Sequence, residues 1–440
     1  MGEVEAIQRD LLRPLRETTW RFKLVVGVLA AIVAVGAYAY WTQLNQGLQV
    51  TAMRDRTSWG IYIANFVFWI GISHVGALMS AILRLAGAEW RRPVTRMAEV
   101  ITVCSLFIGA AMPLIDLGRP DRLLNVLTFG RLQSAILWDF LSIFTYFVGS
   151  LTFLFLFLLP DLGLLRDSGI GGKWRRKLYR VLAVNWRGTP SQKHRLEKGI
   201  HVMTILILPI AISVHTVVSW IFAMTLRVGW NSTIFGPYFV AGALFSGVAA
   251  VLLAMAIFSR AYNLGKYITA RHFRNLSLIL LVLDLVYIYF TLNEYLTISY
   301  KPVTVEQQLV LSLYTGPYAT MFWVIQVGGL VIPAFLLAIP RLRTTTGIVV
   351  ASSLIIVTMW LKRYLIVVST MGVPLMPDAW GAYFPSGVEI AITAAGFAGF
   401  ALLFALFSKL FPIVSVWEVT EEVERPPTAP SPVAANGGGA

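Results

Sequence analysis

His74 stands about halfway along an apolar run of this chain, with Ser73 and Ser80 as its hydroxyl neighbours. A neutral imidazole donates and accepts at once, which suits a quinone carbonyl or a proton relay. The plainer alternative is a histidine hydrogen-bonded between helices. Asp116, in Pro113-Leu-Ile-Asp-Leu-Gly-Arg-Pro-Asp121, and Asp139, in Leu137-Trp-Asp-Phe140, fall at matching ends of two successive apolar runs. With Arg119 and His74 they are expected to converge near one depth, where carboxylates accept protons and an arginine opposes that. Gly118-Arg119-Pro120 also reads as a helix stop. The whole stretch from Gly71 to Arg122 adds Arg84, Glu89, Glu99 and Asp121, and ionisable groups at membrane depth usually serve protons, ions or polar ligands.

His201 and His215 lie fourteen residues apart, roughly 21 Å along one helix. That spacing is reminiscent of the cytochrome b helix that carries one ligand for each of two haems. Two such haems need four histidines, and only His74 remains within the apolar runs, because His194 and His272 fall in connections. One haem between His74 and His215 stays open as the minor reading. Asp284, Glu294, Lys362, Arg363 and Glu389 lie in later runs, as ion-paired packing partners or as a second polar pocket. With Glu99, four of them (Asp284, Glu294, Lys362 and Arg363) make a candidate proton pathway. Cys104 is the only cysteine, so the chain makes no internal disulfide and lacks the thiolates of an iron–sulfur cluster. No metal site is expected.

The elements that must position these residues follow from composition. The 440 residues are 57% hydrophobic and 13% charged, against about 25% charged in soluble domains. About ten runs reach the roughly 20 apolar residues of a membrane span. They are Phe22–Trp41, Gly60–Ala86, Met97–Leu114, Ala135–Leu159, His201–Leu226, Pro237–Phe258, Leu276–Tyr295, Pro317–Ile339, Gly347–Ser369 and Gly387–Phe411. The net charge of +14 does not point to nucleic acid, because the basic residues alternate between connections. About 24 Lys and Arg fall in the amino terminus and the even connections and about seven in the odd ones, which predicts both termini on the cytoplasmic side.

The first run reads as a retained anchor rather than a cleaved signal. The basic connection Arg166 to Lys198 has room for a short surface helix that touches anionic lipid. Glu418, Glu421, Glu422 and Glu424 read as a solvated acidic stretch, and Pro426 to Ala440 as a disordered tail. Val75-Gly-Ala-Leu-Met-Ser-Ala81 is echoed by Ala241-Gly-Ala-Leu-Phe-Ser-Gly247, and Pro160-Asp-Leu by Pro340-Arg-Leu. Spans two to five and six to nine are therefore expected to be two four-helix bundles running in the same sense, with two peripheral helices. The alternative is that small residues simply recur where membrane helices pack. The chain divides into 1–59 (terminus and first span), 60–226 (first bundle), 227–369 (second bundle), 370–417 (last span) and 418–440 (tail).

Several of these segments resemble the NrfD/polysulfide-reductase membrane subunits, in particular the ten-span branch of alternative complex III. They are Gly71 to Leu83, Trp90-Arg-Arg with Arg96-Met-Ala-Glu99, Pro113 to Pro120, Leu137-Trp-Asp139, Ser213 to Ser219, Gly229 to Gly242 and Trp360-Leu-Lys-Arg-Tyr364. Asp116 and Asn231 stand where that branch is expected to carry His, and Asp before Leu-Gly-Arg-Pro looks like the polysulfide-reductase branch. The resemblance implies an all-α subunit of the bacterial cytoplasmic membrane without haem or cluster, catalytic only within a complex. It would exchange electrons between menaquinone or ubiquinone and an iron–sulfur protein on the periplasmic face, beside a molybdopterin or multihaem subunit. His74, Asp116 and Asp139 would carry the proton chemistry, and Ser80, Arg119 and His215 would complete the quinone site. A proton-conducting or solute transporter module and a pure membrane anchor are the competing readings.

Overall fold

A computed structural model describes residues 2–55, 57–301, 303–373 and 383–424, so the expected tail beyond 424 lies outside it. Ten helices are long and apolar enough to cross a membrane: Trp20–Gln46, Ile61–Leu85, Glu89–Asp116, Ala135–Asp167, Pro190–Ala223, Phe235–Ala261, Ala270–Tyr300, Ala319–Ala338, Thr345–Gly372 and Gly387–Leu410. They are called spans one to ten. Among the described residues there is no β-strand, only an isolated bridge between Arg54 and Thr57.

Most spans outrun their apolar stretch because polar caps continue the helix beyond it. Thr189 accepts the Gln192 N–H and Pro190 opens the fifth span, and a Thr269/His272 capping box opens the seventh. The basic connection does contain a helix, Lys173–Leu182. Three features depart from the sequence reading. The fourth span runs through Pro160 to Asp167 rather than ending there, and Arg96 and Trp417 both donate to the Phe157 carbonyl one turn before the proline (2.6 and 2.9 Å). The eighth span is interrupted by a π-helical stretch, Val324–Val331, after a separate connection helix, Thr304–Tyr314. The acidic stretch forms the helix Val416–Glu424, and Glu418 is buried rather than solvated.

Packing reproduces one pattern twice. Span two contacts three, three contacts four, four contacts five and five closes on two; six, seven, eight and nine repeat that ring. The bundles meet mainly through two on six, two on nine and five on six, a set that maps onto itself when the halves are exchanged, with a smaller contact of three on six. Equivalent spans run in the same direction, so the relating axis lies along the bundle. Spans one and ten pack on each other and against spans two and three of the first bundle.

Glycines permit the closest crossings. A Cβ on Gly76 would collide with Thr102 Oγ1 and the Ala98 carbonyl, and one on Gly247 with the Val75 side chain. Gly76→Ala is therefore expected to push spans two and three apart, costing about 1–3 kcal/mol as in other overpacked cores. Thermal unfolding in detergent checks this, with Gly27→Ala, which meets nothing, as the control.

The helices Gly2–Arg16 and Val416–Glu424 pack together at one end of the bundle, here the terminal face. The odd connections lie at the opposite, far face.

Candidate functional site

The Gly76 N–H donates to Thr102 Oγ1 at 2.9 Å, which fixes the register of antiparallel spans two and three. His74 then lies level with Cys104 and Ser105, and Ser80 level with Glu99. His74 is fully buried. Its Nδ1 sits 2.6 Å from the Ile70 carbonyl, and a carbonyl only accepts, so Nδ1 carries the proton. That leaves Nε2 without a hydrogen bond of good geometry among the described residues, with the Ala211 backbone as a polar neighbour. The Tyr146 ring stacks on His74 at 4.9 Å, and its hydroxyl donates to the Ser73 carbonyl at 2.9 Å. From the fifth span, the His215 ring lies 4.6 Å from that of His74, with neither nitrogen partnered among the described residues.

This pairing does not fit the one-haem reading. An iron held by both imidazoles needs their centres roughly 6 Å apart, given metal–nitrogen bonds of about 2 Å. Here the rings pack directly on each other.

Below the pair, toward the terminal face, come Ser80 Oγ and both oxygens of Glu99, with Ser105 and Ser150 hydroxyls at or near the imidazole level. All are buried without a hydrogen-bond partner among the described residues. Buried polar atoms are normally satisfied, so this group of unpartnered atoms stands out as a candidate for function. Above the pair, Phe239 lies 5.9 Å from His215, and Phe222 and Trp230 continue the stack toward the far face.

The other candidates separate by depth. Asp139 lies seven residues before Tyr146 on the same face of the fourth span, roughly 10 Å toward the far face. It is buried, and its Oδ1 has no partner among the described residues. Asp116 lies level with Tyr62, about 18 Å from the His74 level by the same rise. Its neighbour Ile115 accepts from Gln43 of the first span (2.8 Å), and Gln43 accepts from Tyr62 (2.7 Å). Arg119 is not drawn into this cluster. It is exposed and makes two 3.0 Å bonds to Asp121, whose carboxyl that guanidinium holds below its usual range.

In the second bundle, Lys362 Nζ donates to Tyr295 Oη at 2.6 Å and sits over the Tyr295 and Tyr238 rings. Glu294 accepts from Ser232 at 2.6 Å. Lys362 and Glu294 border one small cavity of about 40 Å³, room for water, without forming an ion pair. Arg363 donates to Tyr287 at 3.3 Å and lies over Phe239, and both Asp284 oxygens are buried without partners among the described residues. Glu389 is structural: it accepts from Ala52 N, Ser386 N and Tyr383 Oη at 2.6–2.8 Å.

Tyr146 and Arg96 escaped the sequence reading as site-forming residues. The seven-residue step from Asp139 to Tyr146 was the available signal for the first. Nothing local announces that Arg96 pairs with Asp161, sixty-five residues away.

A ten-span helical protein with a buried imidazole pair and unpartnered carboxyls is a polytopic membrane protein that keeps ionisable groups at membrane depth. A family model described as "Polysulphide reductase, NrfD" matches residues 49–373, and the chain belongs to that family. It is 27% identical to a putative dimethyl sulfoxide reductase membrane subunit of Halobacterium salinarum, over 88% of this chain and 91% of that one. It is 23% identical to a selenate reductase subunit of Mesobacillus selenatarsenatis, over 93% and 98%. It is 24% identical to an Hdr-like menaquinol oxidoreductase integral membrane subunit of Archaeoglobus fulgidus, over 73% and 71%.

Proposed function

We propose that this chain is the quinone-interacting membrane subunit of a respiratory oxidoreductase, passing electrons between the quinone pool and an iron–sulfur partner. The observation that carries the reading is the buried His74, whose Nε2 lacks a hydrogen bond of good geometry among the described residues, on one bundle face with Asp139. Quinol oxidation supplies two electrons and two protons. Asp139 and Asp116 lie where a headgroup arrives from the far-face end of the bilayer, and each has an oxygen free to accept a proton. His74 Nε2 stands deeper as the next acceptor. His215 and Ser80 line the route, and Arg119 belongs to the rim.

The basic residues of the even connections support a cytoplasmic terminal face and a periplasmic far face in a bacterial cytoplasmic membrane. The electron partner then docks on the far face. The third connection there exposes Leu124, Leu127, Phe129 and Leu132, a run of large apolar residues that a protein partner would cover. Relatives named for dimethyl sulfoxide and selenate reductases favour a molybdopterin subunit over a multihaem one, and one named for menaquinol favours menaquinone.

Binding of a short-tailed naphthoquinol to the purified chain, followed by tryptophan quenching, tests the reading. Saturable binding is expected, and its absence favours the pure anchor.

The unpartnered string from Glu99 to His74 favours coupled proton movement across the first bundle, with Asp284, Glu294, Lys362 and Arg363 as the second bundle's polar path. Glu99→Gln is then expected to lower protons moved per electron at least twofold in proteoliposomes, with turnover retained. An unchanged ratio removes Glu99 from the path.

A further inference from the structure

The far-face ends of the two bundles are built from equivalent elements. In the second, a cavity of about 890 Å³ is walled by the seventh connection, the start of the eighth span, the outer half of the ninth and the connection into the tenth, with Ile61 of span two at its edge. That volume is in the range of ligand pockets, about 300–1,000 Å³. Exchange of the halves carries these walls onto the third connection, the start of the fourth span with Asp139, the outer half of the fifth and the connection into the sixth. In the first bundle the side of that region toward spans five and six is packed with rings, Phe222 on Trp230 at 5.0 Å and Phe235 on Phe239 at 5.2 Å, while Asp139 stands on the span-four side. The second bundle keeps a large cavity at that place.

Its lining selects a ligand class. Trp360, Tyr364, Tyr318 and Tyr383 present aromatic surface, which favours a flat ring. The Tyr318 hydroxyl has no partner among the described residues, Tyr364 makes only a 3.5 Å bond to the Tyr383 carbonyl, and Gln308 adds an amide. These are donors for carbonyl oxygens. Among the described residues no Lys, Arg, Asp or Glu lines the cavity. Leu311 and Phe384 at its rim are 60% and 81% exposed, a way out for a hydrophobic tail.

We infer that this cavity is a second site for a neutral, planar, carbonyl-bearing ring of the quinone class, separate from the His74 and Asp139 site. The inference rests on the quinone reading for its ligand class and on the cavity for its place.

The test is photolabelling of the whole protein with a short-tailed azido-naphthoquinone, mapped by mass spectrometry. Saturable labelling is expected in residues 308–321 and 360–364 as well as in the first bundle. Leu361→Trp, which puts a bulky ring into the cavity wall, is expected to cut the second-bundle labelling at least tenfold and spare the first. Tyr318→Phe, which removes one hydroxyl at unchanged shape, is expected to weaken it several-fold and serves if Leu361→Trp does not fold. Labelling confined to the first bundle overturns this inference and leaves the proposed function standing. Labelling of the cavity alone upholds the inference and overturns the His74 and Asp139 assignment. No saturable labelling anywhere overturns both, and second-bundle labelling that neither variant changes, or that phospholipid displaces, overturns the inference.

Discussion

His74→Ala and Asp139→Asn are each expected to lower quinol oxidation by about 10²-fold or more, the usual loss when a positioned acid–base group is removed. The protein should still insert and assemble. Asp139→Asn keeps the shape of a carboxyl that bonds to nothing through Oδ1, so little packing is lost. His74 fills space against Tyr146 and His215, and alanine leaves a hole there. His74→Gln is therefore the companion variant, since its amide can still donate to the Ile70 carbonyl. Steady-state oxidation of a soluble quinol by the assembled complex, with expression and thermal unfolding measured alongside, checks the pair. Full activity in both variants sinks the site.

The largest stability effect is expected at Arg96 and Asp161, buried between spans three and four. Arg96 pairs with Asp161 and also donates to Phe157 O (2.6 Å) and Ser415 Oγ (3.2 Å). Asp161 accepts the Val416 and Trp417 N–H groups at 3.1 and 3.0 Å, capping the last helix. Arg91 adds an ion pair with Glu418 at 3.2 Å. Arg96→Leu leaves the Asp161 charge buried and uncompensated, which typically costs 3–5 kcal/mol. The double variant Arg96→Leu, Asp161→Leu should recover part of that loss, because no lone charge remains. Thermal unfolding in detergent and protease sensitivity around residue 416 provide the readings. A double variant less stable than either single one would refute this account.

The ten spans were legible because lipid demands long apolar runs and closed backbone bonding, a coarse rule that single residues seldom disguise. The echo between Val75–Ala81 and Ala241–Gly247 marked the two helices that cross at the centre, where Gly247 faces Val75. Polar ends were less legible. Glu418 looks solvated beside three other glutamates until Arg91, far away in sequence, meets it. The candidate site was half legible: His74, His215 and Asp139 announce themselves by type in an apolar setting. His74 halfway along its run and Asp116 at the end of its own already differ in depth, and the Gly76 and Thr102 register sets that separation at about 18 Å. Arg119 fell outside because Asp121 two residues on is a nearer partner than any buried carboxyl.

The meeting of the chain's two ends carries a consequence for biosynthesis. Lys409 Nζ donates to the carbonyls of Pro14 and Glu17, across sequence separations of 395 and 392 residues. The first span packs chiefly on the tenth and buries little else. While the ribosome works through the eight spans between them, the first must wait in lipid with its contact face bare. The tenth span supplies the face that the first one lacks, so a chain that stops before it leaves the first helix without its main partner.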